Sequence, residues 1–289
     1  MRIERNGFQL DAVPFYAQDE YQCGPAALAM VLEAGGKSIQ PEVLRPQVFL
    51  PDRQGSLQVE MLAATRRNGF VAVELNPKLS DLLAEIAAGN PAVVLQNLAL
   101  DWYPVWHYAV AIGYDLNAQQ IVLRSGTERR LEMPLSTFER TWQRGGYWAM
   151  LALPPGRFPS SIGPAEYLSA VTRLEKAGQP ESALAAYQRA LERWPDQFTA
   201  LIGAGNTAYR TGDFDGAERA FRRATLVYPR SAAAHNNLAQ TLADLDRYDE
   251  ALTEARLAVG LGGPLEDASI RTLDAIVKRT GRGEQEWNK

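Results

Sequence analysis

The alternation of apolar and polar positions changes character near residue 153. Before it, two periods mix. Apolar residues recur at helical spacing over 24–34, 57–68 and 79–88, which predicts three amphipathic helices. Four later stretches, PAVVLQNL, HYAVAIGYD, QQIVLRSG and GYWAMLALP, are short and rich in β-branched and aromatic residues, and they predict strands. Because these strands follow one another late in the segment and do not alternate with helices, the pattern predicts an α+β domain with a mostly antiparallel sheet. The segment LPPGRFPSSIGPAEY, 153–167, then concentrates Pro, Gly and Ser between two textures, as a linker does. The expected division is a first domain over 1–155, a linker over 156–163 and an all-α domain over 164–289.

Beyond the linker the helical period is continuous and the sequence repeats. Pro195, Pro229 and Gly263 are spaced by 34 residues. The same offset relates Ala183, Ala217 and Ala251, then Ala190, Ala224 and Ala258, and also pairs Tyr187 with Phe221 and Gly178 with Gly212. A fixed period means one supersecondary unit copied and stacked, so that neighbours bury a continuous core. Small alanines allow close helix contact within a unit, while Tyr187 and Phe221 fill the space between units. The units fall at 164–197, 198–231 and 232–263, with LEDASIRTLDAIVKRTG as a capping helix. The third departs from the others, with Asp246 for Gly, Ala255 for an aromatic and Gly263 for Pro.

This pattern resembles the tetratricopeptide repeat. The resemblance implies a solenoid whose concave groove, lined by the first helix of each pair, binds a protein or peptide partner. In this register the groove shows Thr172, Lys176, Asn206, Tyr209, Arg210, Asn236 and Gln240. Polar amides beside a tyrosine point to recognition of a peptide backbone. Leu168 and Ile202 stand where a clamp for acidic tails would want lysine, so that type of groove is not expected. His235 opens the third unit, and a packing role is expected for it.

Charge and composition narrow the function classes. The formal net charge is -4 and no Lys/Arg-rich run occurs, which leaves no basic footprint for nucleic acid. One cysteine excludes an internal disulfide. Together with only two histidines it also leaves no Cys/His zinc site, so no metal or cofactor is expected. No apolar run approaches the roughly 20 residues of a membrane helix, and MRIERNGFQLDAVPF lacks the apolar core of a secretory signal. Membrane insertion is not expected.

The single cysteine sits in QDEYQCGPAALAMVLEAGG. Pro25 suits the first turn of a helix and Gly35-Gly36 its end, which puts Cys23 at the helix N-terminus. Free amides and roughly +0.5 of an elementary charge there can lower a thiol pKa from about 8.5 to between roughly 3.5 and 7.5. A cysteine is more often a small core side chain, but the polar QDEYQ before this one turns it toward a loop. A cysteine nucleophile needs a base, and His107 is the one histidine before the linker. Alternation in HYAVAIGYD groups His107 with Ala109, Ala111 and Gly113, leaving room for a partner.

At this point VPFYAQDEYQCGPAALAMVL, GSLQVEMLAATRRNGF, and HYAVAIGYD with the following QIVLRSG resemble papain-like bacterial peptidases of the double-glycine, bacteriocin-leader-processing type, over residues 12–153. The resemblance implies that Cys23 is the nucleophile and His107 the general base and acid. It implies that the Gln18 amide, with the Cys23 backbone N–H, forms the oxyanion hole. It also expects an Asp or Asn on the strand after the histidine strand, where this chain has Ser125; Asp115 ranks below Ser125 because it belongs to the turn. The implied function is a cysteine peptidase acting on a protein or peptide, with the repeats recruiting substrate or partner. The alternatives are a weak or inactive peptidase-like domain in a peptide-binding scaffold, and acyl transfer by the same residues. Double-glycine specificity belongs to relatives fused to exporters and is not expected here. By resemblance the location is the bacterial periplasm or cell envelope if a signal was removed, and otherwise the cytoplasm.

Overall fold

A computed structural model of the protein describes residues 6–17 and 22–280. The chain divides into two compact units, Met1–Ser182 and Ala183–Lys289. The first begins with β1 (Gly7–Gln9), α1 (Cys23–Ala34), α2 (Pro41–Val48) and the short hairpin of β2 (Phe49–Leu50) and β3 (Gly55–Ser56). It continues through α3 (Gln58–Arg67), β4 (Val71–Glu74), α4 (Leu79–Ala87), β5 (Ala92–Asn97) and β6 (Trp106–Asp115). Then come β7 (Gln120–Ser125), β8 (Glu128–Pro134), α5 (Leu135–Arg144), β9 (Ala149–Leu153) and α6 (Pro164–Lys176).

The main sheet runs β4-β9-β5-β6-β7-β8, with β1 also paired to β6. Every pairing is antiparallel, and β5 to β8 follow one another along the chain, as the short connections of antiparallel neighbours allow. Strand alternation gives the sheet two different faces. Val93, Leu95, Tyr108, Val110, Ile112 and Met150 pack on one side against α1, and Leu44, Val48, Met61 and Ala64 from α2 and α3 join the same core. Helix α1 is buried from Gly24 to Leu32, which is why its sequence reads as apolar all round. On the other face Gln96 donates to Thr141 Oγ1 of α5 (2.6 Å), beside the buried Phe138 and Trp142.

Several elements escape the apolar pattern. Strand β8, ERRLEMP, lies at the sheet edge with mostly exposed, charged side chains, so it reads as a polar loop. Helix α2 carries an internal Pro46, and β4 is only four residues long.

The Pro/Gly/Ser stretch is fastened to the first unit. Glu85 of α4 is fully buried. Its Oε1 accepts from the backbone N–H groups of Ser160 (2.8 Å) and Ser161 (2.6 Å) and from the Ser161 hydroxyl (2.6 Å). Its Oε2 accepts from Asn90 Nδ2 at 2.7 Å. Arg157 Nη2 donates to the Gly89 carbonyl at 2.6 Å. Helix α6 follows directly and packs on β4, with Tyr167 against Phe158. The first compact unit therefore runs on to Ser182, past the stretch expected as a linker.

The remaining helices are α7 (Pro180–Arg193), α8 (Phe198–Arg210), α9 (Phe214–Val227), α10 (Ala232–Asp244), α11 (Tyr248–Leu261) and α12 (Glu266–Thr280). The second unit is all helical, and its helices pair at the expected period. A side chain at Gly203 would overlap the Tyr187 ring, and one at Gly205 the Phe221 ring, so these glycines admit the aromatic fillers. Gly178, Gly212 and Asp246 all have positive φ (79°, 83° and 58°). The aspartate thus keeps the left-handed turn at which the other units use glycine. No helix among the described residues is long and apolar enough to cross a membrane.

Candidate active site

Cys23 is the first residue of α1, after Gln22 at the N-cap, whose side chain makes no capping bond. His107 is the second residue of β6 and Ser125 the last of β7. Cys23 and His107 line one cleft of about 1280 Å³, walled by Arg53–Gln58 on one side and Tyr103–Trp106 on another. His107 Nε2 and Ser125 Oγ lie 2.8 Å apart. A shift of register between Leu123 and Ser125 sets the serine at this place, as bulges near sites do. The imidazole Nδ1 has no hydrogen-bond partner among the described residues. Asp115 is at the far end of β6, where its carboxylate accepts from the N–H groups of Asn117 (2.8 Å) and Ala118 (2.9 Å) and closes a turn. Gln18 lies outside the described residues.

The electrostatics differ from the expectation for a helix-start thiol. The backbone amides of Tyr108, Gly24 and Cys23 do favour the thiolate, but burial outweighs them and pushes the Cys23 pKa up. Burial also pulls His107 down. Both shifts act toward the neutral thiol and the neutral imidazole. The helix terminus acts as expected; the apolar packing around it is a tertiary property and wins.

Two further residues complete the surroundings. Tyr108 faces α1, opposite in alternation to His107, and its hydroxyl donates to the Ser56 carbonyl (3.2 Å). Its own pKa is raised by burial. The Ser56 hydroxyl is buried with no hydrogen-bond partner among the described residues, and its side chain fills the space where a side chain at Gly24 would stand. The GSL of GSLQVEMLAATRRNGF signals this contact only by its presence; the pattern gives no reason for it.

Residues 10–150 match the sequence profile of the Peptidase_C39 like family, and residues 168–217 and 202–264 match that of the tetratricopeptide repeat. The chain joins a C39-peptidase-like region to tetratricopeptide repeats. Of this chain 52% aligns with 98% of the crystal structure of a proposed C39-like peptidase from Bacillus anthracis, at 19% identity and a TM-score of 0.44. Two structures of MamA also align. One covers 39% of this chain and 68% of its own, at 15% identity and a TM-score of 0.36. The other, from AMB-1, covers 42% and 67%, at 22% identity and a TM-score of 0.38. No curated protein matches the chain at a significant level.

In the repeats, several polar residues expected to line the groove are bonded to two residues the sequence reading did not single out, Asn237 and Asp244. Tyr209 Oη and Gln240 Nε2 both donate to Asp244 Oδ2, and Arg279 of α12 donates to Asp244 Oδ1 at 2.7 Å. Burial acts to raise the Asp244 carboxyl, but these hydrogen bonds hold it below the usual range. Asn206 Oδ1 accepts from Asn237 (2.9 Å), and Asn236 donates to Asn237. Arg210 is exposed at the end of α8. His235 is buried, with Nδ1 2.6 Å from Glu254 and Nε2 3.0 Å from the Pro229 carbonyl, which is the packing role expected of it.

Proposed function

We propose that the C39-like region is a cysteine peptidase in which Cys23 attacks a peptide carbonyl and His107 carries the proton. The observation that supports this most is the joint presence of the helix-start thiol and the Ser125-bonded imidazole in one open cleft. Nε2 being engaged by Ser125 leaves Nδ1 to exchange a proton with the thiol. Because burial favours both neutral forms, His107 takes the thiol proton as Cys23 attacks, and no ion pair waits beforehand. The tetrahedral intermediate collapses to a thioester as His107 protonates the leaving amine, and His107 then activates water to release the acid. The Cys23 N–H, with Gln18, is assigned to the developing oxyanion. The repeats recruit the protein substrate or a partner.

The neutral hydroxyl of Ser125 in place of a carboxylate, and the raised thiol pKa, favour a second reading: a weak or inactive peptidase-like domain in a binding scaffold. Transfer of the acyl group to an amine uses the same residues. Acylation of Cys23 by activated peptide esters, followed by mass spectrometry of the intact protein with water or an added amine, tests all three. Release to water supports the peptidase. A persistent thioester supports the scaffold, amide product supports acyl transfer, and no acylation ends the catalytic reading.

A further inference from the structure

The nine residues Leu98–Trp106, from the end of β5 to the first residue of β6, hold six of the fourteen large hydrophobic side chains that are exposed among the described residues. Trp102 and Tyr103 are 81% and 69% exposed. Single exposed apolar side chains need no explanation, but a contiguous cluster of this kind marks a binding surface. The loop is also built. Asn97, almost fully buried at its base, accepts from the Ala99 and Val105 N–H groups (3.1 and 3.0 Å). Leu98 N–H donates to the Val105 carbonyl at 2.9 Å, closing the neck. Arg144 donates to the Asn97 carbonyl through Nε (3.3 Å) and Nη2 (3.1 Å). A buried amide thus fixes the base while the tip side chains stand in water, an arrangement that presents them.

The apolar surface is continuous with the cleft. Tyr103 to Trp106 line it, whereas Leu98, Leu100 and Trp102 lie outside it. Among the described residues the cleft wall carries Arg53 and Arg144 and no carboxylate, so none of them favours a cationic peptide. Asp101 is exposed between Leu100 and Trp102. A carboxylate at that tip opposes entry into an anionic lipid surface, and continuity with the cleft favours a polypeptide occupant.

We propose that Leu98–Trp106 is an exosite that holds an apolar segment of an extended or unfolded polypeptide outside the cleft and so delivers the neighbouring peptide to Cys23. The delivery rests on the peptidase reading; the binding does not. The test uses the full chain as Cys23→Ala, so that turnover plays no part, against an array of short overlapping peptides from casein. Fluorescence anisotropy then measures the retained peptides with Trp102→Ser, Leu100→Asn and Trp102→Phe added. The retained peptides are expected to be rich in Leu, Ile, Phe and Trp. Trp102→Ser and Leu100→Asn are expected to weaken them at least about 10-fold, as loss of an aromatic or aliphatic anchor does, and Trp102→Phe to stay close to the parent. Retention without apolar preference, no retention, or equal affinity in Trp102→Ser would overturn the proposal. So would binding to phosphatidylglycerol–phosphatidylcholine vesicles that Trp102→Ser abolishes while peptide binding is unmoved. A Cys23 that resists acylation in the parent chain would end the peptidase reading and leave this result standing.

Discussion

Cys23 illustrates how opposing local and tertiary terms are weighed. Three backbone amides lower its pKa and burial raises it further than they lower it. Alkylation by iodoacetamide, followed by mass across pH, is therefore expected to rise with a midpoint above the ordinary thiol value of about 8.5; a midpoint below neutrality would mean a preformed ion pair. The same shifts act on stability. His107 is depressed in the fold, so its contribution is present above about pH 6.5 and lost as pH falls; Cys23 is raised, so its contribution is present below about pH 8.5 and lost as pH rises. Ser125 supplies a hydrogen bond and no charge. Ser125→Asp is expected to raise the His107 pKa and leave acylation at least as fast. Ser125→Ala should lower acylation by less than the roughly 10²- to 10⁴-fold that loss of a proton-transfer group costs. Equal rates in all three would remove Ser125 from the mechanism. Gly24 leaves room for Ser56, so Gly24→Ala should destabilise by about 1–3 kcal/mol through overpacking. Adding Ser56→Gly should recover most of it in a thermal unfolding series.

At the scale of elements, α4 and the segment after β9 depend on one carboxylate. Removing Glu85 takes its acceptor from the buried Asn90 amide and from the partly buried Ser161 N–H and hydroxyl, and loosens Ser160. Glu85→Ala is expected to cost roughly 3 kcal/mol, which denaturant unfolding of the full chain would measure. A loss under about 1 kcal/mol would mean that water replaces the carboxylate easily. In the repeats Asp246 holds a left-handed conformation at φ 58°. Asp246→Gly should therefore stabilise or leave unchanged, whereas glycine at an ordinary helical site costs about 1 kcal/mol.

For the molecule as a whole, the question is where it comes apart. A loose Pro/Gly/Ser linker is a preferred site of nicking, but here Arg157 is bonded to Gly89 and the following serines to Glu85. Limited trypsin digestion is expected to spare Arg157 in the parent chain and to cut there readily in Glu85→Ala. Rapid cleavage of the parent at Arg157 would mean that the segment is not held in solution.

The sequence by itself determined the two textures, the repeat period, the helix that begins at Cys23 and the histidine strand. Each is written in local periodicity or in residue types tied to a turn or a helix end. It named Ser125 as the residue on the strand after His107, and the structure puts that hydroxyl on the imidazole. The sign of the thiol shift could not be read locally, because desolvation depends on residues brought in from α3, β5 and β6. The fastening of 156–163 rests on Glu85, some 75 positions earlier in the chain, and composition carries no trace of such a partner. Nor does LALDWYPVW betray its exposure: aromatic and aliphatic residues predict burial, and only the folded chain decides that these are left in water beside the cleft.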